Sequence, residues 1–420
     1  MEAEYFFSFT YLLICIFILK YFYKYRMISI ISPVDMFVLF FITVIVLNYL
    51  YIYYPEDQKF NMYNLDLLNE KKFCKQMNVF LRMMTLFLAG VFIYTLRNKN
   101  FLKVSSKKIE IFNIENMTIN YAVLKHVMFV LLCLCCVLVV FDLGFDLFYR
   151  VNYIPQKSSA FKSIYTILLI VLSILAAISY DKSRTASTLS IVVVLLIGIG
   201  LGSRMATVNL VFFVFTYSFL LKTKVARFKY FLIWIPIIVL FFGYNIALRK
   251  ESKTHGILPY LEIIIDKPEV IFENTLFNIY YTFIFGFVAT SQTIKLYHEN
   301  LGNLWTCINP LPGSLTDWYM FAQRMRLNLY APYTSIGELA KFPVFSFFYY
   351  ILLGYYFSLC DFYIKTSVSL KKYFAPAIVI ILLDLFIMFS YEYNLRSSVR
   401  YLYYSALVVF LSKIKVYTKA

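Results

Sequence analysis

Charge is what this sequence has least of. Asp, Glu, Lys and Arg make up 15% of its 420 residues against 61% hydrophobic residues, and the mean hydropathy is +0.71. That composition excludes a soluble globular chain and describes an all-α polytopic integral membrane protein, in which length counts spans rather than domains. Acidic residues are the rarest charged class, 23 against 40 Lys and Arg, which gives a net charge of +17. No basic tail and no arginine patch interleaved with aromatics accompanies the excess, so nucleic acid is not an expected partner. In a membrane chain the excess reports topology and attraction to anionic headgroups. Met1-Glu2-Ala3-Glu4 is acidic where a signal peptide would be basic, and the first span is expected to stay as an anchor.

Catalytic signatures are also missing. The chain has no Walker loop, no His-Glu-x-x-His, no Gly-x-Ser-x-Gly and no Asp-x-Asp, which removes the usual marks of ATP-driven transport, zinc hydrolysis and metal-dependent glycosyl transfer. His126, His255 and His298 are scattered and form no ligand cluster, so neither a metal site nor a cofactor is expected. Cys15, Cys133, Cys135, Cys136 and Cys360 sit in apolar runs as small hydrophobes. Cys74 and Cys307 fall on one side of the membrane in the topology below, which leaves a disulfide between them open.

What the chain does have is apolar runs at 5–23, 34–53, 78–96, 121–141, 164–180, 188–201, 205–221, 230–248, 344–364, 374–391 and 398–412. They predict about 11 transmembrane helices, within a range of 10–13, and the runs at 188–201 and 205–221 are short for a bilayer crossing. The stretch 276–297 is apolar from Ile279 to Ala289, but Glu273, Asn274, Asn278, Gln292 and Lys295 make it polar enough to lie at the interface or re-enter, and it is read as non-spanning. The chain then divides into an N-terminal bundle over 1–248, a large external loop with amphipathic or re-entrant helices over 249–343, and C-terminal spans over 344–420, all within one structural domain. With the N-terminus outside, the inner connectors hold 20 Lys and Arg in 49 residues, whereas the outer segments hold 18 in about three times that length. This density places 249–343 outside.

Several arginines collect on that outer side. Arg204, in the turn Gly202-Ser203-Arg204 between the two short spans, is held within or near the bilayer's depth, which makes it either a functional cation or a residue snorkelling to the headgroups. Gly198, Gly200 and Gly202 read as close helix packing rather than a phosphate cradle. Arg249 closes the eighth span as an interfacial anchor or a ligand. Arg324 and Arg326, two residues apart, cannot share a helix face. Arg396 and Arg400, four apart, can, and two guanidinium forks there suit a diphosphate or lipid headgroups. Asp384, deep in its span, is expected first to partner a buried Arg or Tyr and second to serve as a proton or ion site.

Three features together resemble the oligosaccharide repeat-unit polymerases that lengthen bacterial surface polysaccharides: the Gly-x-Arg turn, the long late outer loop, and Ala331-Pro332-Tyr333-Thr334-Ser335-Ile336-Gly337-Glu338-Leu339 ahead of a span with Leu353-Gly354. In that family Gly-Glu is followed by an aromatic and Asn-Phe-Gly; here Leu339-Ala340-Lys341-Phe342-Pro343 follows. The resemblance implies a multi-pass protein of the bacterial cytoplasmic membrane. It would transfer a glycan from undecaprenyl diphosphate to another lipid-linked unit, alongside a flippase and a chain-length regulator. In such a site Arg204, Arg249 and one of the later arginines (Arg324, Arg326, Arg396 or Arg400) would neutralise the departing diphosphate. Glu338, then His255, would take the acceptor proton, although Glu338 also suits a first-turn carboxylate facing the helix dipole. A lipid-linked oligosaccharide flippase and an O-antigen ligase are the alternatives.

Overall fold

The computed structural model describes residues 10–14, 16, 32–52, 70–98, 120–151, 160–201, 205–220, 224–251, 254–298, 300–311, 315–316, 318–328, 331–370 and 374–413. Among them the architecture is helical, with no strand. In chain order the helices are α1 (Pro33–Ile52), α2 (Glu70–Arg97), α3 (Tyr121–Leu143), α4 (Ala160–Ser179), α5 (Arg184–Gly200), α6 (Met205–Leu220), α7 (Lys224–Glu251) and α8 (Ile257–Asp266). They continue with α9 (Glu269–Tyr280), α10 (Gly286–Leu296), α11 (Leu301–Ile308), α12 (Trp318–Arg324), α13 (Ser335–Ala340), α14 (Pro343–Ser369), α15 (Phe374–Glu392) and α16 (Leu395–Lys413). Five stretches are long and apolar enough to cross a membrane: Pro33–Leu50, Lys72–Arg97, Tyr121–Leu147, Pro343–Ser369 and Ala375–Glu392. Ile164–Ser179, Arg184–Gly200, Met205–Ser218, Lys229–Phe241 and Phe283–Leu296 are apolar but shorter. Each apolar run from 34–53 onward coincides with helix, whereas most of the run at 5–23 lies outside the described residues.

Two compact units emerge, one formed by 1–109 with 280–420 and the other by 110–279. The stretch 249–343 is therefore shared, its first part packing within the second unit and its remainder within the first. In the second unit α4 packs against α3, α5 and α6. Met128, Leu132, Cys135, Val139 and Leu143 are buried on α3 at helical spacing and meet Tyr165, Leu169, Leu172 and Ala176 of α4. The opposite face of α3 is just as apolar and fully open, with Phe141 83% exposed. A helix that is hydrophobic all round and exposed on one side needs a lipid neighbour on that side.

In the first unit α14 lies along α2, and the contact is a glycine-to-backbone approach on both helices. A Cβ at Gly354 would stand 1.9 Å from the Phe87 carbonyl oxygen, and one at Gly90 would stand 2.0 Å from that of Ile351. Small residues on both sides let the backbones close up and gain dispersion contact, which is how apolar helices associate where lipid offers no hydrophobic drive. Around this seam an aromatic lattice fills the core. Phe37 stacks on Phe87 at 3.8 Å, Phe80 on Phe287 at 5.0 Å, and Phe357 meets Phe87 edge-on at 5.4 Å. Cys74 and Cys307 are both buried free thiols, so the possible disulfide is absent. Lys365 is buried on α14, paired at 2.9 Å with Asp361 one turn earlier. The pairing leaves neither charge alone in the apolar interior.

The stretch 276–297 is helical, and its middle turn is widened. Residues 281–285 form one π-helical turn, and the Phe283 carbonyl it presents accepts from Asn48 Nδ2 of α1 at 2.7 Å and from the Tyr391 hydroxyl of α15. Gly286 through Ala289 are buried, and α10 packs on α2, α13 and α15. Of the polar residues in and beside it, Asn274 and Gln292 are buried, whereas Glu273 and Lys295 are exposed.

Candidate functional site

The segment Ala331–Leu339 is the hub of the first unit. Thr334 caps α13 by accepting the Gly337 N–H at 3.2 Å, and its own N–H and hydroxyl donate to Thr293 Oγ1 (3.1 Å) and Thr290 Oγ1 (2.9 Å) of α10. Ser335 N–H donates to the Tyr393 carbonyl at 2.7 Å, and Ser398 Oγ of α16 donates to Ser335 Oγ at 3.3 Å. Thr334 and Ser335 thereby tie the start of α13 to α10, to the residue after α15 and to α16. Pro343 opens α14 in its first turn, where a missing N–H costs nothing.

Glu338 points into this hub and has no exposed surface. Its Oε1 accepts the Leu395 N–H at 3.3 Å, one of the donors that the start of α16 leaves without a helical partner, while Oε2 has no hydrogen-bond partner. Burial pushes its pKa up to about 8, and the Leu395 N–H and Cys307 thiol only partly oppose the shift. At pH 7 the group is mainly a neutral carboxylic acid. Burial, and then proximity to this carboxyl, raise the pKa values of Cys307, Tyr297 and Tyr333.

Arg396 is 1% exposed. Its Nη1 donates to the Thr306 carbonyl at 2.5 Å, and Nη2 donates to the Leu311 carbonyl (2.6 Å) and Thr316 Oγ1 (3.0 Å). The guanidinium lies 4.9 Å from the centre of the Trp318 ring. A paired Arg396–Arg400 fork for a diphosphate is therefore not formed, because the first member is already engaged by the end of α11 and the loop after it. Arg324 and Arg326 are exposed, Arg324 ending α12 and Arg326 lying beyond it in a backbone bridge with Pro332.

The second unit holds a separate constellation. Arg150 and His255 exchange two backbone hydrogen bonds of 2.7 Å, which fastens the segment after α7 to the end of α3. Both side chains are buried. Arg150 Nη1 donates to the carbonyls of Gly200 (2.6 Å) and Asp146 (3.0 Å), so the cation sits at the C-terminal end of α5, where the helix dipole favours positive charge. His255 Nδ1 lies 2.9 Å from the Tyr260 hydroxyl, and the Tyr244 hydroxyl donates to the Tyr260 carbonyl at 3.1 Å. Burial, and then Arg150, lower the His255 pKa, leaving a neutral imidazole at pH 7. Gly198 and Gly200 serve packing, as expected. A Cβ at Gly198 would be 2.8 Å from Ala206 Cα, and one at Gly200 would be 2.7 Å from Ile257.

Of the residues singled out in the sequence, Arg204 lies outside the described residues, and Arg249 is on α7 with its side chain outside them. Among the described residues Asp384 Oδ1 has no hydrogen-bond partner, and no hydrogen bond joins this carboxyl to the expected Arg or Tyr. Arg150 escaped sequence reasoning because it stands alone in a connector, and only the fold brings it to Gly200, four residues before Arg204. Comparison with protein-family models, curated proteins and solved structures found no match for this chain.

Proposed function

We propose that this chain is a membrane glycosyltransferase that polymerises oligosaccharide repeat units carried on undecaprenyl diphosphate, at the outer face of the bacterial cytoplasmic membrane. A hydroxyl on the acceptor unit attacks the anomeric carbon of the donor. The bond to the diphosphate oxygen breaks, and the hydroxyl proton passes to a base. The observation that carries the reading is Arg150 beside His255 at the end of α5, a buried cation and a neutral imidazole, next in the chain to the Gly202-Ser203-Arg204 turn. Fixed cations are worth most where water is excluded and negative charge develops, and a neutral imidazole can accept a proton at physiological pH. His255 suits the base better than Glu338, which is itself mostly protonated and has no exposed atom. Glu338 and Arg396 instead position the hub and the loop that α16 carries.

The resemblance around Ala331–Leu339 supports the same reading, as do the multi-pass topology of about 11 spans and the outward placement of 249–343 that charge density favours. The test is the surface-glycan ladder of cells with and without the gene, followed by purified protein in lipid with lipid-linked repeat units and excess chelator. Loss of all but single-repeat product, with extension that survives chelation, is the expected result. Loss of all surface glycan points to a flippase, and polymer made but left unattached points to a ligase; either outcome overturns the proposal.

A further inference from the structure

The segment from α11 to α12 carries apolar side chains outward with nothing of the first unit against them. Leu301 is 75% exposed, Trp305 68%, Leu315 71% and Met320 67%, with Leu311 half exposed between them. The same short helix α11 is apolar on its other side, where Leu304 and Cys307 are buried in the core. A loop exposed to water has no reason to be hydrophobic on both faces.

Hydrogen bonds fix how deep this segment sits. Arg396 donates to the Thr306 carbonyl, and the Tyr403 hydroxyl donates to that of Ile308 at 2.5 Å, so the end of α11 runs alongside the first two turns of α16. Arg396 and Tyr403 are seven residues apart, about 10 Å of helix rise, so α11 lies beside that length of α16. That level is marked independently by Tyr393, Tyr401, Tyr403 and Tyr404, the aromatic belt expected where a helix meets the headgroups. Below it the outer face of α16 continues apolar through Leu407, Phe410 and Leu411, all exposed. Exposed Arg324 and Arg326 follow Met320, supplying positive charge at the edge of the patch.

We infer that residues 301–311, 315–316 and 318–326 contribute to an interfacial membrane-contact element. Its apolar face, Leu301, Trp305, Leu315 and Met320, lies among the headgroups and upper acyl chains of the leaflet in which α16 begins, and Arg324 and Arg326 bind anionic phospholipid. The occupant is lipid, because the exposed apolar face of α16 begins just below the patch and cations flank it. The inference is independent of the enzymatic reading.

The test uses the full-length protein in nanodiscs of phosphatidylcholine with phosphatidylglycerol. The emission that Trp305→Phe removes reports Trp305 alone, and brominated-chain phosphatidylcholine should quench it by about half or more, as suits a ring roughly 5–10 Å into the interface. Aqueous acrylamide should quench it little. The unaltered protein gives a second readout that needs no variant to fold: a diazirine-bearing phosphatidylglycerol should crosslink to peptides covering 301–320. Arg324→Gln with Arg326→Gln should reduce that yield several-fold while leaving the yield from a diazirine-bearing phosphatidylcholine unchanged. Quenching by acrylamide but not by bromolipid overturns the inference, as does lipid crosslinking absent from 301–320. Protein–protein crosslinks between copies at these peptides would assign the face to a second chain and overturn it too.

Discussion

Replacing Glu338 with Gln isolates a single buried acid. The carboxyl has no exposed surface, and its pKa is pushed from an ordinary value of 4.5 up to about 8. Below the lower value both folded and unfolded chains hold the proton. Between the two values the unfolded chain loses it while the folded chain keeps it, so the folded state binds more protons and stability falls as pH rises. The slope is about 1.4 kcal/mol per pH unit across the window and vanishes above it, which amounts to a loss of up to about 5 kcal/mol from acid to alkaline conditions. Gln fills nearly the same volume, can keep the Leu395 N–H bond through its carbonyl, and does not titrate.

Thermal unfolding in lipid or detergent micelles can be followed by a maleimide dye that fluoresces on reaching buried thiols, of which Cys74, Cys307 and Cys360 are three. Between about pH 5 and pH 9 the difference in Tm, Gln variant minus parent, should rise steadily and level off near the folded pKa. Every other titrating group is common to both proteins and cancels. Parallel profiles would mean that the carboxyl titrates alike in the folded and unfolded chains, and a Gln variant that loses ground as pH rises would mean that the carboxylate is ionised and stabilising in the fold; either would make the assignment of a neutral acid wrong.

Other perturbations test other joints. Gly354→Leu drives a side chain into the Phe87 carbonyl and should cost roughly 1–3 kcal/mol or prevent folding, read as lost monodisperse protein on gel filtration. Arg396→Lys places one compact ammonium where three acceptors stand, and a drop in stability of roughly 2 kcal/mol in denaturant unfolding is expected, with Arg396→Ala lower still. Arg204→Ala should abolish polymer in the glycan ladder at unchanged protein level, and Arg204→Lys should restore it only in part, since an ammonium cannot form the bidentate fork. Cysteines placed at 256 or 313 should react with an impermeant reagent from outside while those at 222 and 371 stay protected; the reverse pattern would overturn the charge-based orientation.

The helices themselves were legible, because an apolar run near 20 residues bounded by charge has little alternative to helix in a bilayer. What those helices do with their polar residues was not. Asn48 and Tyr391 are far from Phe283 in sequence, and nothing local announces that its carbonyl will be taken by both. The motif Ala331–Leu339 stood out as a helix start, and Thr334 does cap it. That Glu338 would be turned inward to the start of α16 depends on a contact 57 residues away, as Arg396 depends on acceptors 80–90 residues away. Spacing on one helix correctly showed that Arg396 and Arg400 can share a face. It could not show that carbonyls at the end of α11 reach the first of them.

Those burials narrow the chemistry. A departing diphosphate needs cations that are held in place; Nη1 and Nη2 of Arg396 are both taken up by Thr306, Leu311 and Thr316, whereas the bonds from Arg150 to the Gly200 and Asp146 carbonyls run through Nη1. Arg324 and Arg326 are exposed, where water and salt screen them, so they suit headgroups better than a transition state. What remains is the group that the second unit collects by chain connection: Arg150 at the end of α5, Arg204 in the turn that follows, and Arg249 near the end of α7, six residues before His255. Arg150 is fixed by two carbonyls through Nη1, a geometry that holds the guanidinium plane in a set direction. Arg150→Lys keeps the charge but loses the fork, and Arg150→Gln loses both. If Arg150 acts on the diphosphate, chain extension should fall in the order parent, Lys, Gln, at protein levels and unfolding temperatures that remain close together, because catalytic loss tracks the charge. If it only fastens the end of α5, unfolding temperature and activity should fall in step, and extension per folded molecule should stay constant across the three proteins. That outcome would remove Arg150 from the site and leave the proposed cation role to Arg204 and Arg249.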